Sequence, residues 1–134
     1  MKKKNLETIS QKNRIISNIF DSIESRKSFL ILGHKNPDED CISSMVAFAL
    51  ILSKFNRHVK LYFSDYVHEH FEYLINICKY NLIDIYYTDK FDIESIDTLV
   101  VCDTPKPSMI DGTPAIMSLF TKDSIRILEI DHHV

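Results

Sequence analysis

Apolar residues recur along the first half of this chain with two different spacings, which predict helices alternating with strands. "KSFLILGH" is a compact apolar run that ends at Gly33 and predicts a short buried strand. From about Ile42, "ISSMVAFALILSKF" is apolar enough for a largely buried helix. Residues 5–25 carry apolar side chains three and four positions apart, the pattern of an amphipathic helix: Leu6, Ile9, Ile16, Ile19, Phe20 and Ile23.

The second half of the chain continues this alternation. "HVKLYF" (58–63) alternates like a strand, residues 68–80 have helical spacing, and "LIDIYY" is a candidate third strand. "TLVVCD" (98–103) and "SIRILEID" are further strands, and Pro114 suits the first turn of a short helix over 114–121. Strands that alternate with helices indicate βαβ units. We therefore expect an α/β fold with a mostly parallel sheet and helices on both faces.

Composition narrows the kinds of chemistry that this chain can perform. A length of 134 residues favours one domain, and a formal charge of −3 gives no general attraction for nucleic acid. The two glycines, Gly33 and Gly112, are too few for a P-loop or a dinucleotide-binding loop. Catalysis would therefore depend on side chains and metal ions.

The cysteines and the apolar runs indicate where the chain resides. Cys41, Cys78 and Cys102 are scattered, so they suggest neither a disulfide framework nor a thiolate zinc site. "MKKKNLETIS" lacks the apolar segment of a signal peptide. The longest apolar run, "MVAFALIL", is far shorter than the roughly 20 residues that a membrane helix needs. We expect a cytoplasmic chain without a membrane partner.

Polar clusters follow three of the predicted strands. "HKNPDED" (34–40) follows the first strand, Asp103 follows "TLVVC", and "DHH" (131–133) follows "RILEI". Because ligands of open α/β sheets bind at the carboxyl ends of the strands, these clusters are expected to converge. The converging side chains would be His34, Asp38, Asp40, Asp103, Asp131, His132 and His133.

So many carboxylates and imidazoles in one place predict a metal centre. Clustered carboxylates repel one another unless protons or cations neutralise them. Two divalent ions that share a carboxylate would remove this cost and could clamp a phosphoryl group. Oxygen and imidazole ligands favour Mn²⁺, with Co²⁺, Mg²⁺ or Zn²⁺ as weaker choices.

The spacing within "HKNPDED" suggests how the first cluster divides between two ions. Pro37 is expected to hold Asn36 extended. His34 and Asp38 would then fold toward one ion while Asp40 turns toward the other. Asp40 is also expected just before the following helix, where the helix dipole stabilises a carboxylate.

Together these motifs resemble those of the DHH phosphoesterase superfamily. "HKNPDED" is similar to its first motif, His-x-Asn-Pro-Asp-x-Asp; "VVCDTP" resembles the second, and "IDHHV" resembles the third. The resemblance implies hydrolysis of phosphate esters or anhydrides at a two-metal centre, usually with two Mn²⁺ ions. Its substrates would be phosphate-containing small molecules, namely a nucleotide or pyrophosphate, or a short oligonucleotide.

The resemblance also implies a role for each site residue. It implies His34 and Asp38 on one ion, Asp40 and His132 on the other, and Asp103 between the two. It further implies that Asp131 orients the site and that His133 faces the scissile phosphate.

The chain departs from the family pattern in two respects. Glu39 and Ser43 stand where family members usually have glycine, so an altered substrate or weaker activity is expected. The sequence also stops before the family's fourth aspartate ligand and its C-terminal substrate-binding domain. We therefore expect residues 1–134 to be a partial catalytic domain on which an N-terminal helix, 1–26, packs. A missing polypeptide would then complete the site.

Other interpretations remain open at this point. The chain could be a truncated, non-catalytic remnant, or an interaction module that binds metal or nucleotide without turnover. The apolar stripe over 6–23 could be core or the contact of a homo-oligomer. His68 and His70 are read as a solvated helix start, and Cys41 and Cys102 as buried apolar residues. The tyrosines of "DIYYTDKF" are read as strand packing, with base stacking as the alternative.

Overall fold

A computed structural model describes residues 2–131, with side chains described from residue 11 onward except that of Ile15. The helices are α1 (Lys2–Ser25), α2 (Glu39–Lys54), α3 (Glu72–Tyr80) and α4 (Pro114–Met117), and the strands are β1 (Ser28–Leu32), β2 (His58–Tyr62), β3 (Asp84–Tyr86), β4 (Thr98–Cys102) and β5 (Arg126–Ile130). Short 3-10 helices precede α3 at Glu69–Phe71 and follow α4 at Ser118–Thr121. Each of the helical patterns predicted over 68–80 and 114–121 corresponds to an α-helix together with its adjoining 3-10 helix.

The five strands form one parallel sheet in the order β3-β2-β1-β4-β5. β1 lies at the centre and pairs in parallel with β2 on one side and with β4 on the other. The chain runs outward from β1 to β3 and then returns to the opposite side of β1 to form β4 and β5. This order makes the gap between β1 and β4 the topological switch point of the sheet.

Helices cover both faces of the sheet, which confirms the predicted α/β class. Every residue of β1 and β4 is buried, as expected for central parallel strands. Phe29 and Ile31 pack with the buried side chains of α2 and α3. Leu30 and Leu32 point to the other face and pack with Ile116 of α4. Within residues 2–131, no helix is long and apolar enough to cross a membrane.

Helix α2 begins three residues before the apolar pattern suggests. Asp38 is its N-cap, with extended backbone (φ −88°, ψ −178°), and the Asp38 side chain accepts a hydrogen bond from the Cys41 amide. This cap satisfies an amide that would otherwise lack a partner in the first turn, so the helix starts at Glu39. The expectation that Asp40 lies just before the helix is therefore wrong, because Asp40 is inside the first turn.

The expectation of an extended Asn36 is also wrong, since its φ is 52°. The backbone on either side explains this. The Lys35 amide donates to the Met109 carbonyl at 2.9 Å, and His34 forms a β-bridge with Ile110. This pairing fixes residues 34 and 35, and the helix cap fixes Asp38. The chain makes the turn between these two places with Asn36 in the left-handed conformation. Asparagine tolerates that conformation better than most residues.

Helix α1 packs on the rest of the chain through its last turns. Ser22 and Ile23 are its buried residues among those with described side chains, whereas Ile16 and Phe20 are about half exposed. The Arg57 guanidinium donates to the Ile23 carbonyl at 2.6 Å. Arg126 of β5 pairs with Asp21 at 2.7 Å.

Gly33 lies directly after β1 and against side chains of α2, and we predict that Gly33→Ala destabilises the fold. An added Cβ would lie 2.5 Å from the Cys41 sulfur and 2.8 Å from the Met45 sulfur. Because both neighbours are buried, we expect a loss of about 1–3 kcal/mol in the free energy of unfolding, measured by urea denaturation.

Gly112→Ala is the matched control, because its Cβ would mainly meet the flexible end of the half-buried Met117. We expect it to cost less than about 1 kcal/mol. An equal loss in both variants would contradict the close approach of β1 and α2.

Candidate metal centre

His34 follows β1 by two residues and is oriented by its own backbone. Its Nδ1 lies 2.8 Å from the Lys35 carbonyl oxygen. Because a carbonyl oxygen can only accept, this contact requires the proton on Nδ1 and leaves the lone pair on Nε2. A backbone hydrogen bond of this kind commonly fixes the orientation of a metal-binding histidine. The Nε2 atom lies 3.6 Å from Asp38 Oδ1, so the two atoms could bind one ion.

Asp38 is both the cap of α2 and a neighbour of His34. Its Oδ1 accepts from the Cys41 amide at 2.9 Å. Its side chain is 65% exposed, compared with 13% for His34. The capping hydrogen bond holds the Asp38 carboxylate on the side that faces His34. The positive end of the α2 dipole stabilises the negative charge of this carboxylate.

Asp103 follows β4 and is almost fully buried, with 3% exposure. Its amide donates to the Ile130 carbonyl at 2.7 Å, which ties it to the end of β5. Its φ of 51° lies in the left-handed region, which aspartate occupies more readily than most residues. Strained backbone of this kind is frequent at functional sites.

These three residues come together at the switch point of the sheet. His34, Asp38 and Asp103 each offer one ligand atom, and the three atoms all lie within 4.8 Å of one another. We call this group the trio. In the part of the chain that the structure describes, it is the one such group of histidine, cysteine and acidic residues.

The trio has the donor chemistry of a divalent-cation site. One imidazole nitrogen and two carboxylates suit hard or borderline ions such as Mn²⁺, Mg²⁺, Co²⁺ or Zn²⁺. Without a cation, the charges of Asp38 and Asp103 would repel each other. The geometry and the chemistry of these residues therefore fit a bound metal ion.

The other predicted ligands are not part of the trio. Asp40 is exposed in the first turn of α2 and is not one of the trio. Asp131 is exposed directly after β5. His132 and His133 lie outside the described residues.

Glu39, at the first departure from the family pattern, interacts with α3. Desolvation, the charge of Glu39 and a hydrogen bond with it raise the pKa of the Tyr73 hydroxyl. The Glu39 carboxylate therefore lies beside Tyr73. Ser43, at the second departure, is half-buried one turn further along α2.

The two cysteines nearest the site are buried thiols. Burial raises the pKa of Cys41 to about 11 and that of Cys102 to about 12. The Cys41 thiol donates to the Cys102 carbonyl at 3.7 Å. Both thiols are thus protonated near neutral pH, which makes them poor nucleophiles.

Sequence reasoning missed Asp111, which lies in the loop after β4 and is 6% exposed. Its Oδ2 accepts from the Ser64 amide at 2.9 Å, and its own amide donates to the Gly33 carbonyl at 2.8 Å. The one available signal was a single acidic residue after an apolar pair in "SMID". Its partner, Ser64, is distant in sequence, so no local pattern could reveal the contact.

Asp111 lines a cleft of about 300 Å³ beside the trio. The residues that line this cleft are Asn36, Pro37, Phe63, Ser64, Asp65, Tyr66, Val67, His68 and Asp111. His68 is exposed, and its Nδ1 accepts from the His70 amide at 3.1 Å to cap the short helix before α3. His68 and His70 thus begin a solvated helix, as predicted.

Comparison with known proteins identifies the family that these motifs resemble. A family model described as "DHH family, N-terminal domain" matches residues 28–134. This match covers most of the chain and confirms the resemblance. No curated protein matches the chain.

We predict that two substitutions of Asp38 separate its capping role from its ligand role. Asp38→Asn keeps an oxygen that can accept from Cys41, so metal-free stability should stay near that of the wild type. Asp38→Ala removes the cap and should cost about 1 kcal/mol in urea denaturation.

Both variants should bind Mn²⁺ at least tenfold more weakly in calorimetric titrations, because even partners outside the ligand shell contribute about 10- to 100-fold. Unchanged Mn²⁺ affinity in Asp38→Asn would show that Asp38 caps the helix but does not bind the metal ion.

Proposed function

The chain belongs to the DHH family of metal-dependent phosphoesterases, and on that premise we propose that it hydrolyses phosphate esters or anhydrides at a two-metal centre. The observation that carries this proposal is the trio, whose three ligand atoms lie within 4.8 Å of one another at the switch point. Ligands of open α/β sheets bind at that place.

The proposed centre uses His34, Asp38 and Asp103 for one ion. Asp40 and His132 would hold the second ion and share Asp103 with the first. Asp131 would orient the site, and His133 would contact the scissile phosphate. We propose Mn²⁺ for both positions, because the ligands are carboxylates and imidazoles. Bound divalent ions supply Lewis-acid stabilisation of the charge that develops on the phosphoryl oxygens.

The protein's own groups support binding of a phosphate here. Helix α2 is capped by Asp38 and begins at Glu39, so its N-terminal amides face the same edge of the sheet as the trio. Helix N-termini favour anions through their amides and their dipole. The Nδ1 hydrogen bond of His34 keeps Nε2 toward the trio, which reduces the reorganisation that binding requires. We propose a nucleotide or short oligonucleotide as substrate, ahead of pyrophosphate.

Mn²⁺-dependent hydrolysis of bis(p-nitrophenyl) phosphate tests this function. We predict that Asp103→Asn and Asp40→Asn each lower the rate by about 100-fold or more, since each would weaken stabilisation of the transition-state charge. Asp84→Asn is the matched control, because this exposed carboxylate lies on the edge strand β3. Its rate should equal that of the wild type.

Equal background rates in the wild type and Asp103→Asn would contradict the enzyme proposal. The three ligand atoms of the trio could hold one ion without the residues of the second position, which favours a metal-binding or nucleotide-binding module as the second candidate. That module would bind Mn²⁺ through Asp103 with no turnover.

A further inference from the structure

The cleft beside the trio is formed by three separate segments. Asn36 and Pro37 lie between the ligands His34 and Asp38, residues 63–68 follow β2, and Asp111 comes from the loop after β4. The cleft therefore opens at the carboxyl edge of the sheet, next to the proposed phosphate position. Its volume of about 300 Å³ is at the lower end of the usual range for small-ligand sites.

The charges around this cleft disfavour a second phosphate. Among the residues that the structure describes, its lining includes the carboxylates of Asp65 and Asp111 and the imidazole of His68, and it contains neither lysine nor arginine. Such a lining repels anions and favours a group that donates hydrogen bonds. The part of a substrate that fits this cleft is therefore its uncharged portion.

Tyr66 provides a flat wall for this cleft. Its side chain is 79% exposed, and its ring centroid lies 4.4 Å from that of Tyr87. Tyr87 lines a neighbouring recess that Tyr66 also borders, but it does not line the cleft, and its ring is tilted by 42° from that of Tyr66. Because Tyr66 is largely exposed and lines the cleft, a planar ligand in the cleft could stack on its ring. Bases stack on aromatic side chains without regard to sequence.

Asp111 provides a fixed acceptor at the cleft. It is more than nine-tenths buried, and the Ser64 amide holds its Oδ2 at 2.9 Å. This leaves Oδ1 for a ligand. Guanine presents two adjacent donors, N1–H and the 2-amino group, to such an oxygen. Adenine presents one amino donor next to the N1 acceptor, which a carboxylate repels.

We propose that this cleft binds the guanine base of the substrate, with Tyr66 as the stacking surface and Asp111 as the residue that selects guanine over adenine. This inference rests on the proposed function, because it places the base next to the phosphate that the trio would engage. It names the substrate class as a guanine nucleotide.

Binding of nucleosides tests the cleft without phosphate or metal. Guanosine and adenosine would be titrated into the chain in EDTA, with binding followed by NMR chemical shifts. We expect guanosine to bind about tenfold more tightly than adenosine, since an unpaired buried acceptor is costly. Equal binding of the two nucleosides would overturn the proposal.

Substitutions of Tyr66 isolate the stacking contact. Tyr66→Ala should weaken guanosine binding about tenfold, whereas Tyr66→Phe keeps the ring and should bind like the wild type. Tyr80→Ala is the control for loss of an exposed tyrosine, because Tyr80 is 90% exposed and lies at the end of α3. Guanosine affinity that is unchanged in Tyr66→Ala would rule out the stacking role.

Asp111→Asn gives the sharpest test because it should change the preferred base. The Ser64 amide needs an acceptor, so the Asn carbonyl would remain on Ser64 and the Asn amino group would face the cleft. Guanosine should then bind about tenfold more weakly, and xanthosine, which has a carbonyl in place of the 2-amino group, should bind more tightly than to the wild type. Asp84→Asn is the matched control, because this exposed carboxylate lies outside the cleft, and its guanosine preference should not change.

The hydrolase and the base pocket can fail separately. Bis(p-nitrophenyl) phosphate carries no base, so its Mn²⁺-dependent hydrolysis reports on the trio alone. Hydrolysis without guanosine preference would overturn the base pocket only. Guanosine preference that reverses in Asp111→Asn, without any hydrolysis, would support the pocket and overturn the hydrolase.

Discussion

Parallel pairing of β1 with β4 is the constraint on which the site depends. Leu32 lies opposite Val101 in this ladder, so His34 and Asp103 each follow the pair by two residues. The two side chains therefore emerge at the same level on either side of the switch point. A shift of one residue in this register would move one of them to the wrong face of the sheet. The apolar packing on both faces of β1 and β4 holds the register.

The start of α2 supplies Asp38, the third residue of the trio, so one carboxylate would serve both the helix cap and the proposed metal site. Asp38 caps the helix, and the same oxygen lies near His34. Close packing of Gly33 against Cys41 and Met45 keeps this helix end next to β1. The dipole of α2 partly offsets the cost of placing Asp38 near Asp103 before any cation binds. The site is thus arranged by contacts that also stabilise the metal-free fold.

Much of the fold could be predicted from the sequence because its signals are local. The apolar runs "SFLIL" and "TLVVC" are buried on both sides. His34 lies two residues after the first run, and Asp103 lies directly after the second. The apolar pattern begins at Ile42 and so predicts too late a start for α2, because the hydrogen bond from the Cys41 amide to Asp38 sets the boundary. The left-handed backbone of Asn36 depends on pairing with residues 109 and 110.

The site combines residues that the motifs predict with a residue that no motif contains. Convergence of His34, Asp38 and Asp103 follows from parallel strands, but the buried position of Asp111 depends on a contact with the distant Ser64.

The most direct test of this account is a crystal structure of the chain grown with Mn²⁺, with data collected for anomalous scattering at the manganese edge. We predict an anomalous peak within bonding distance of His34 Nε2 and of the Asp38 and Asp103 carboxylates. Anomalous density that avoids these three side chains, at Mn²⁺ concentrations that saturate binding, would contradict it.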